Sequence, residues 1–282
     1  MADTLMGKTE IDAASKAEIA NIVQSFLIQE SKLIPTISNY SNLAVPGAKS
    51  VALPRSGGFT VGSKIENTAV DAQAITYAAD TITFDQHKVV QFLLEDIADI
   101  QANIPVVQDA VMKATKALSL DIDLAIIEEL KLASASAPDH LINFIDTATD
   151  VVAKADILAA RKLLQDQNIE ATECFIGIGP EKEAELLAIE SFIDASKYGS
   201  NEPIMNGEIG KIYGMRVIMH TGFSDFMCTW HPSAVGLAVQ NGMRYQTDKD
   251  LANLAMRHSI DVLYGVEVLD SGKRNVLTDS TN

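Results

Sequence analysis

Residues 155–221 decide how this chain is read. They comprise ADILAARKLLQDQ (155–167), ECFIGIGPEKEAELLAI (173–189), SFIDASKYGSNEPIMNGEIG (191–210) and KIYGMRVIMHT (211–221). Val151, Ala155, Leu158 and Leu163 mark one face of an amphipathic helix. Glu173 to Ile178 reads as a short apolar strand, and Gly179-Pro180-Glu181 opens a second helix. Proline loses no hydrogen bond at the first helical position, and Glu181 and Glu183 complement the positive end of the helix dipole. Ser196 to Gly207 reads as a loop and Lys211 to Met219 as another strand. The alternation is that of an α/β unit.

Downstream, Thr229-Trp230-His231-Pro232 leads into the apolar run Ser233 to Gln240, which is expected to be buried. Ser259 to Leu269 reads as one or two further strands. Upstream, Val107, Val111, Ala114, Leu118, Ile122, Ile126 and Leu130 recur at three- or four-residue spacing. A helix over Pro105–Ala133 would be a rod of roughly 40 Å, stopped by Ser134-Ala-Ser-Ala-Pro138 because a residue before proline avoids helical geometry. Asp121, Asp123, Glu128 and Glu129 read as its solvated side.

Before the long helix the chain is thin. Val51 to Val61 reads as a strand entering a turn at Gly57-Gly58, and Thr81 to Asp85 alternates like a half-exposed strand. A two-stranded hairpin is marginal in water, so this stretch is either a surface loop or an arm that docks on a neighbour. Ile19, Ile22, Val23, Phe26 and Leu27 mark a short amphipathic segment ending near Lys32, and Asn39 to Gly47 reads as an extended arm needing another surface.

Composition narrows the function classes. The chain has 282 residues, 47% hydrophobic and 21% charged, with 38 acidic side chains against 22 Lys plus Arg and a net charge of −16. Nucleic-acid readers carry the opposite sign, because their affinity comes from neutralising phosphates. No run of about 18 apolar residues suggests a membrane span, and the first residues lack the apolar core of a signal peptide. Cys174 and Cys228 cannot supply a disulfide framework, which points to a cytoplasmic setting.

No motif carries chemistry. Gly207-Glu-Ile-Gly210-Lys211 has two residues between its glycines where a phosphate loop has four, and Ile212 stands where Ser or Thr would hold magnesium. Gly177-Ile-Gly179 lacks a third glycine, and Pro180 removes an N–H that a pyrophosphate would use. Cys228-Thr-Trp-His231, completed by Cys174 and His220, is too sparse for a zinc site. There is no Gly-x-Ser-x-Gly elbow and no helix-spaced histidine pair, so neither catalytic, metal nor cofactor-binding residues are assigned.

The order of elements resembles that of the major capsid proteins of tailed bacteriophages, which share the Hong Kong 97-like fold. The resemblance rests on the helix, the apolar strand ending at a proline, the second helix, and the pattern Gly-x-Ile-Gly-x-Ile-x-Gly-x-x-Val, present as Gly207-Glu-Ile-Gly-Lys-Ile-Tyr-Gly214-Met-Arg-Val217. His231 to Gln240 is similar to the family's buried segment and Tyr264 to Leu269 to its closing strand. The motifs are specific in combination and weak singly, and they span nearly the whole chain.

The resemblance implies an α+β fold with an N-terminal arm (1–50) and an extended β-hairpin loop (51–80). A peripheral domain (81–147 and 251–282) would contain the spine helix 105–133, and an axial domain would occupy 148–250. It implies a structural subunit, not an enzyme and without cofactor, that assembles with itself as hexamers and pentamers into an icosahedral virion shell around double-stranded DNA. That shell would be built in the host bacterial cytoplasm. A separate scaffolding protein, a portal protein and a decoration protein are the partners it suggests; an encapsulin-like nanocompartment is the nearest alternative and a soluble α/β enzyme a distant one. Gly57, Gly58, Gly207, Gly210 and Gly214 are the expected turn positions. Lys64, on the extended loop, is the one candidate for the inter-subunit cross-linking some relatives perform, and is expected to be a plain surface lysine.

Overall fold

The computed structural model describes residues 31–64, 66, 72–95, 106–136, 140–145, 151–189, 210–251 and 254–279. Its strands are β1 (Ser38–Asn39), β2 (Ser50–Ser56), β3 (Tyr77–Thr83), β4 (Gln86–Glu95), β5 (Leu141–Asn143), β6 (Phe175–Ile178), β7 (Lys211–Ile212), β8 (Met215–Met219), β9 (Met227–Trp230), β10 (Val235–Asp250), β11 (Ala255–Val268) and β12 (Asn275–Asp279). The helices are α1 (Val106–Ser136), α2 (Lys154–Asp166) and α3 (Pro180–Ala188). The segment 19–27, Pro105, Pro138, the loop 196–207 and Gly207 lie outside the described residues.

The three- and four-residue spacing of the long helix produces α1. Val111, Ala114, Leu118, Ile122, Ile126 and Leu130 are buried along one side, as residues so spaced superpose on a helix. They lie on a four-stranded sheet of order β1-β10-β11-β4. The β10–β11 ribbon is antiparallel from Val235↔Val268 to Asp250↔Ala255, with irregularities between Val239 and Arg244.

A second sheet, of order β5-β12-β9-β6-β8-β7, lies between two cores. Successive side chains of a strand point to opposite faces. In β9, Cys228 and Trp230 therefore join the core around α1, while Met227 joins the core beneath α2 with Ile157, Ala160, Leu164, Ile176 and Val276. This explains why all four residues of β9 are buried.

Several local expectations change with the pairing. The run 211–219 is not one strand: Ile212 pairs with Met215, and Tyr213 (φ 49°) with Gly214 (φ 92°) makes the turn of a tight hairpin. Two positive φ values in a two-residue loop match the right-handed twist of the flanking strands. Helix α2 buries Ile157, Ala160 and Leu164, and not the face drawn through Val151 and Leu158, each about 40% exposed. Its apolar residues form two overlapping stripes, and Asp156 selects between them. The buried carboxylate accepts Ala153 N–H at 2.7 Å and Ile145 N–H at 2.9 Å, which orients the helix.

Sheet membership also crosses the sequence division at residue 250. Strand β10 pairs with β11 beside α1, whereas β12, near the C-terminus, pairs with β9 and β5. The segment 31–44 finds its surface within the same chain. Leu33 and Ile37 enter the α1 core, Ser38 N–H donates to Pro232 O (2.9 Å), and Tyr40 N–H donates to Leu237 O (2.8 Å).

Candidate functional site

Among the described elements, the β2–β3 hairpin carries its outer end away from its own core. Ser50 pairs with Thr83 and Ser56 with Tyr77, and beyond them Gly57 N–H still donates to Thr76 O at 2.7 Å. Thr60 N–H then donates to Gln73 Oε1 at 2.9 Å. The chain therefore does not reverse at Gly57-Gly58, since Thr60 still lies beside Gln73. Gly57 has a different use, since a Cβ there would sit 2.4 Å from Thr76 Oγ1. Apolar side chains stand open along this projection: Phe59, Ile75, Tyr77 (73% exposed) and Val61 (98%). Lys64 is exposed on it too.

The hairpin is fixed at its base. Val51 and the fully buried Ile82 face the sheet, and β3 passes over β11 at Gly265. A Cβ on Gly265 would come within 1.9 Å of Thr83 O, so the two backbones touch where any side chain would stand. Arg55 contacts Asp270, with Asp80 3.8 Å away; Asp80 also accepts Asp270 N–H at 3.1 Å. Arg274 Nε donates to Asp270 Oδ2 at 3.1 Å, tying the base of the hairpin to the turn after β11.

Beside this base lies an acidic groove of about 350 Å³, lined by Asp85, Lys88, Asp121, Glu128, Glu129 and Glu267 among others. Burial, reinforced by Glu267 and Asp85, pushes the Glu129 carboxyl up to about 7. Burial and Asp85 raise Glu267 as well. Lys88 Nζ lies 3.3 Å from Asp121 Oδ2, which also accepts the Tyr264 hydroxyl at 3.2 Å. On the four-stranded sheet, Asp261 holds Arg244 and His87. Burial opposes its charge, yet these partners keep its pKa below the ordinary carboxylate value.

Asp123 does not belong to the solvated side of α1. It is 2% exposed and accepts from Ser31 Oγ (2.5 Å) and Lys32 N–H (3.1 Å), anchoring the incoming chain. A carboxylate on the buried stripe of a helix pattern was the available sign. Cys174 and Cys228 are buried in different cores on opposite sides of the second sheet. Burial, with Glu173, pushes the Cys174 thiol up to about 11, and burial raises Cys228 too, so both stay neutral. His231 meets Glu173 (3.1 Å) and Ser233 (2.7 Å), and His220 faces Asp123. No described group of three or more His, Cys, Asp or Glu has the arrangement of a metal site.

Of the expected turn glycines, Gly210 (φ 50°) and Gly214 (φ 92°) adopt left-handed backbone. Gly265 went unassigned, although a glycine inside a strand pattern is a signal of close backbone approach.

The comparisons with known proteins agree with this architecture. No curated protein matches the sequence. Among solved structures, the chain is similar to one from Mycobacterium phage Che8, with TM-score 0.73, 20% identity, and coverage of 89% of this chain and 92% of that one. It is similar to the capsid of Cyanophage P-SCSP1u (TM-score 0.72, 13% identity, 86% of each chain). It also resembles a virus-like particle from Pyrococcus furiosus (TM-score 0.60, 12% identity, 94% of this chain and 99% of that one). The fold is therefore the α+β fold of tailed-phage capsid proteins. A family model described as "Phage capsid protein" matches residues 67–266, most of the chain, and the chain belongs to that family of structural virion proteins.

Proposed function

We propose that this capsid protein is the major shell subunit of a tailed bacteriophage. Its copies associate as hexamers and pentamers into an icosahedral container for double-stranded DNA. The observation that carries the reading is the β2–β3 projection, with Phe59, Val61, Ile75 and Tyr77 exposed beyond its own core. Such a hairpin is marginal alone, and a second copy supplies the surface that makes it worth ordering. In this reading α1 and the four-stranded sheet form the peripheral unit, and the second sheet with α2 and α3 forms the axial one. Assembly takes place in the host cytoplasm, with separate scaffolding, portal and decoration proteins as partners.

The net charge of −16 supports a container that repels its genome, letting DNA slide during packaging. Strong, salt-sensitive DNA binding by assembled shells would sink that part. An encapsulin-like nanocompartment is the second reading, favoured by the likeness to the Pyrococcus furiosus particle; a cargo enzyme co-purifying without phage proteins would select it.

The experiment is light scattering on protein eluting from a sizing column, with negative-stain images of the same fractions. Round megadalton particles, or rings that close when scaffold is added, support the proposal. A homogeneous monomer or dimer that no scaffold converts would refute it.

A further inference from the structure

The turn after β8 is pressed onto α1 by a glycine and held there by a histidine. A Cβ on Gly222 would lie 2.6 Å from Ile127 Cδ1 and 2.8 Å from Leu124 Cδ2, so a bare backbone touches the helix at this point. Gly222 N–H donates to Nδ1 of His220 at 3.0 Å. That bond uses the Nδ1 lone pair, so the neutral ring carries its hydrogen on Nε2. Nε2 in turn lies 3.6 Å from Asp123 Oδ2.

We propose that His220 is a proton-operated latch: its neutral ring holds the 220–223 turn against α1, and a proton taken from solvent onto Nδ1 sets two donors against each other and lets the turn lift.

Two charged groups face the ring. Asp123, on α1, favours the cation. Lys32, on the N-terminal segment, opposes it and is tied nearby through Nζ to Met219 O at 3.3 Å. Asp123 is already occupied by Ser31 and Lys32 N–H, and the ring is buried against the edge of Phe223. Burial outweighs the attraction of Asp123, so His220 titrates below its ordinary value of 6.5. A depressed histidine contributes stability that is present above that ordinary value and lost as pH falls through the folded one. Acid therefore loosens the junction where the second sheet and the segment after residue 30 meet α1, whatever the oligomeric state.

The lone tryptophan reports on this turn. Trp230 is buried and stacks on Phe223 with ring centroids 5.9 Å apart. The test is Trp230 emission and hydrogen exchange of the 219–226 segment between pH 8 and 5, corrected for intrinsic exchange, in the full chain and in His220→Asn. Asparagine Oδ1 replaces Nδ1 as the acceptor for Gly222 N–H but takes up no proton. The wild type should open more readily as pH falls, by up to about tenfold per pH unit for one coupled proton, while His220→Asn stays flat. The same pH curve in both proteins would overturn the proposal. Should His220→Asn fail to fold, the wild type decides alone: acid-linked exchange confined to 219–226 and 31–37 supports the latch, and its absence or its spread evenly to β6 refutes it.

Discussion

The contact between Gly265 and Thr83 predicts how the hairpin depends on the sheet beneath it. An Ala at 265 would bring its Cβ to 1.9 Å from Thr83 O, about 1.4 Å inside an ordinary carbon–oxygen contact of roughly 3.3 Å. Neither side yields easily. Thr83 is paired with Ser50 and Gly265 with Ala238, so relief means shifting backbone within a ladder. Overpacking of this kind costs about 1–3 kcal/mol, and the shift would re-aim the whole hairpin. The control is Gly236→Ala, whose three nearest obstacles are side-chain atoms rather than backbone: Ile82 Cδ1 at 2.8 Å and two atoms of the Tyr40 ring at 3.2 Å. It should fall within about 1 kcal/mol of wild type, helped by the reduced freedom of the unfolded chain. The assay is urea unfolding of the unassembled subunit together with thermal melting. Gly265→Ala should melt roughly 2–12 °C lower at about 2–4 °C per kcal/mol, and should assemble poorly under conditions where Gly236→Ala assembles normally. Equal stability and assembly of the two variants would show that β3 does not lie on β11 as described.

Other perturbations test other parts. Glu129 titrates near 7, well above its ordinary 4.5, so the fold is favoured below 4.5 and loses that contribution as pH rises through 7. Glu129→Gln should therefore be more stable than wild type at pH 8, and the difference should close in acid; the gain will be modest because the carboxyl is only partly buried. Gly214→Val, at φ 92°, should destabilise the β7–β8 hairpin by about 1–2 kcal/mol, read by thermal melting. A Cβ on Gly210 meets no atom of the described residues within 4 Å, so Gly210→Val should cost mainly what a left-handed backbone costs, again about 1–2 kcal/mol by melting. Replacing Phe59 and Tyr77 together by Ser should leave the subunit's melting curve in place and abolish shell formation in negative stain. Lys64→Arg should assemble as wild type does, and denaturing gels of wild-type shells should show no covalent ladder.

Much of the architecture was legible because it rests on chain-local physics. The apolar spacing of α1 names its buried stripe almost residue for residue, since a helix imposes its period without reference to any partner. Pro180 marks the start of α3 because its ring and missing N–H restrict where it can sit in any helix. The alternation at 51–61 and 81–85 marks strands because it is a local signal, while the thinness of 51–85 leaves a surface loop and an arm docked on a neighbour equally open.

What the tertiary structure alone decided involves partners distant in sequence. Nothing within 235–250 or 275–279 says that β10 joins β11 beside α1 while β12 crosses to the second sheet, because a strand's hydrogen bonds are satisfied equally well by any neighbour of suitable length. The face of α2 was ambiguous between two apolar stripes until Asp156 met the N–H groups of Ala153 and Ile145. Asp123 looked like solvated charge until Ser31, 92 residues earlier, supplied the hydroxyl that makes its burial tolerable. Gly265 gained its meaning when another strand's carbonyl arrived where its side chain would be. Steric rules that act between neighbours in the chain are written in the sequence; the choice among equally good partners is made by packing, which exists only once the chain has closed on itself.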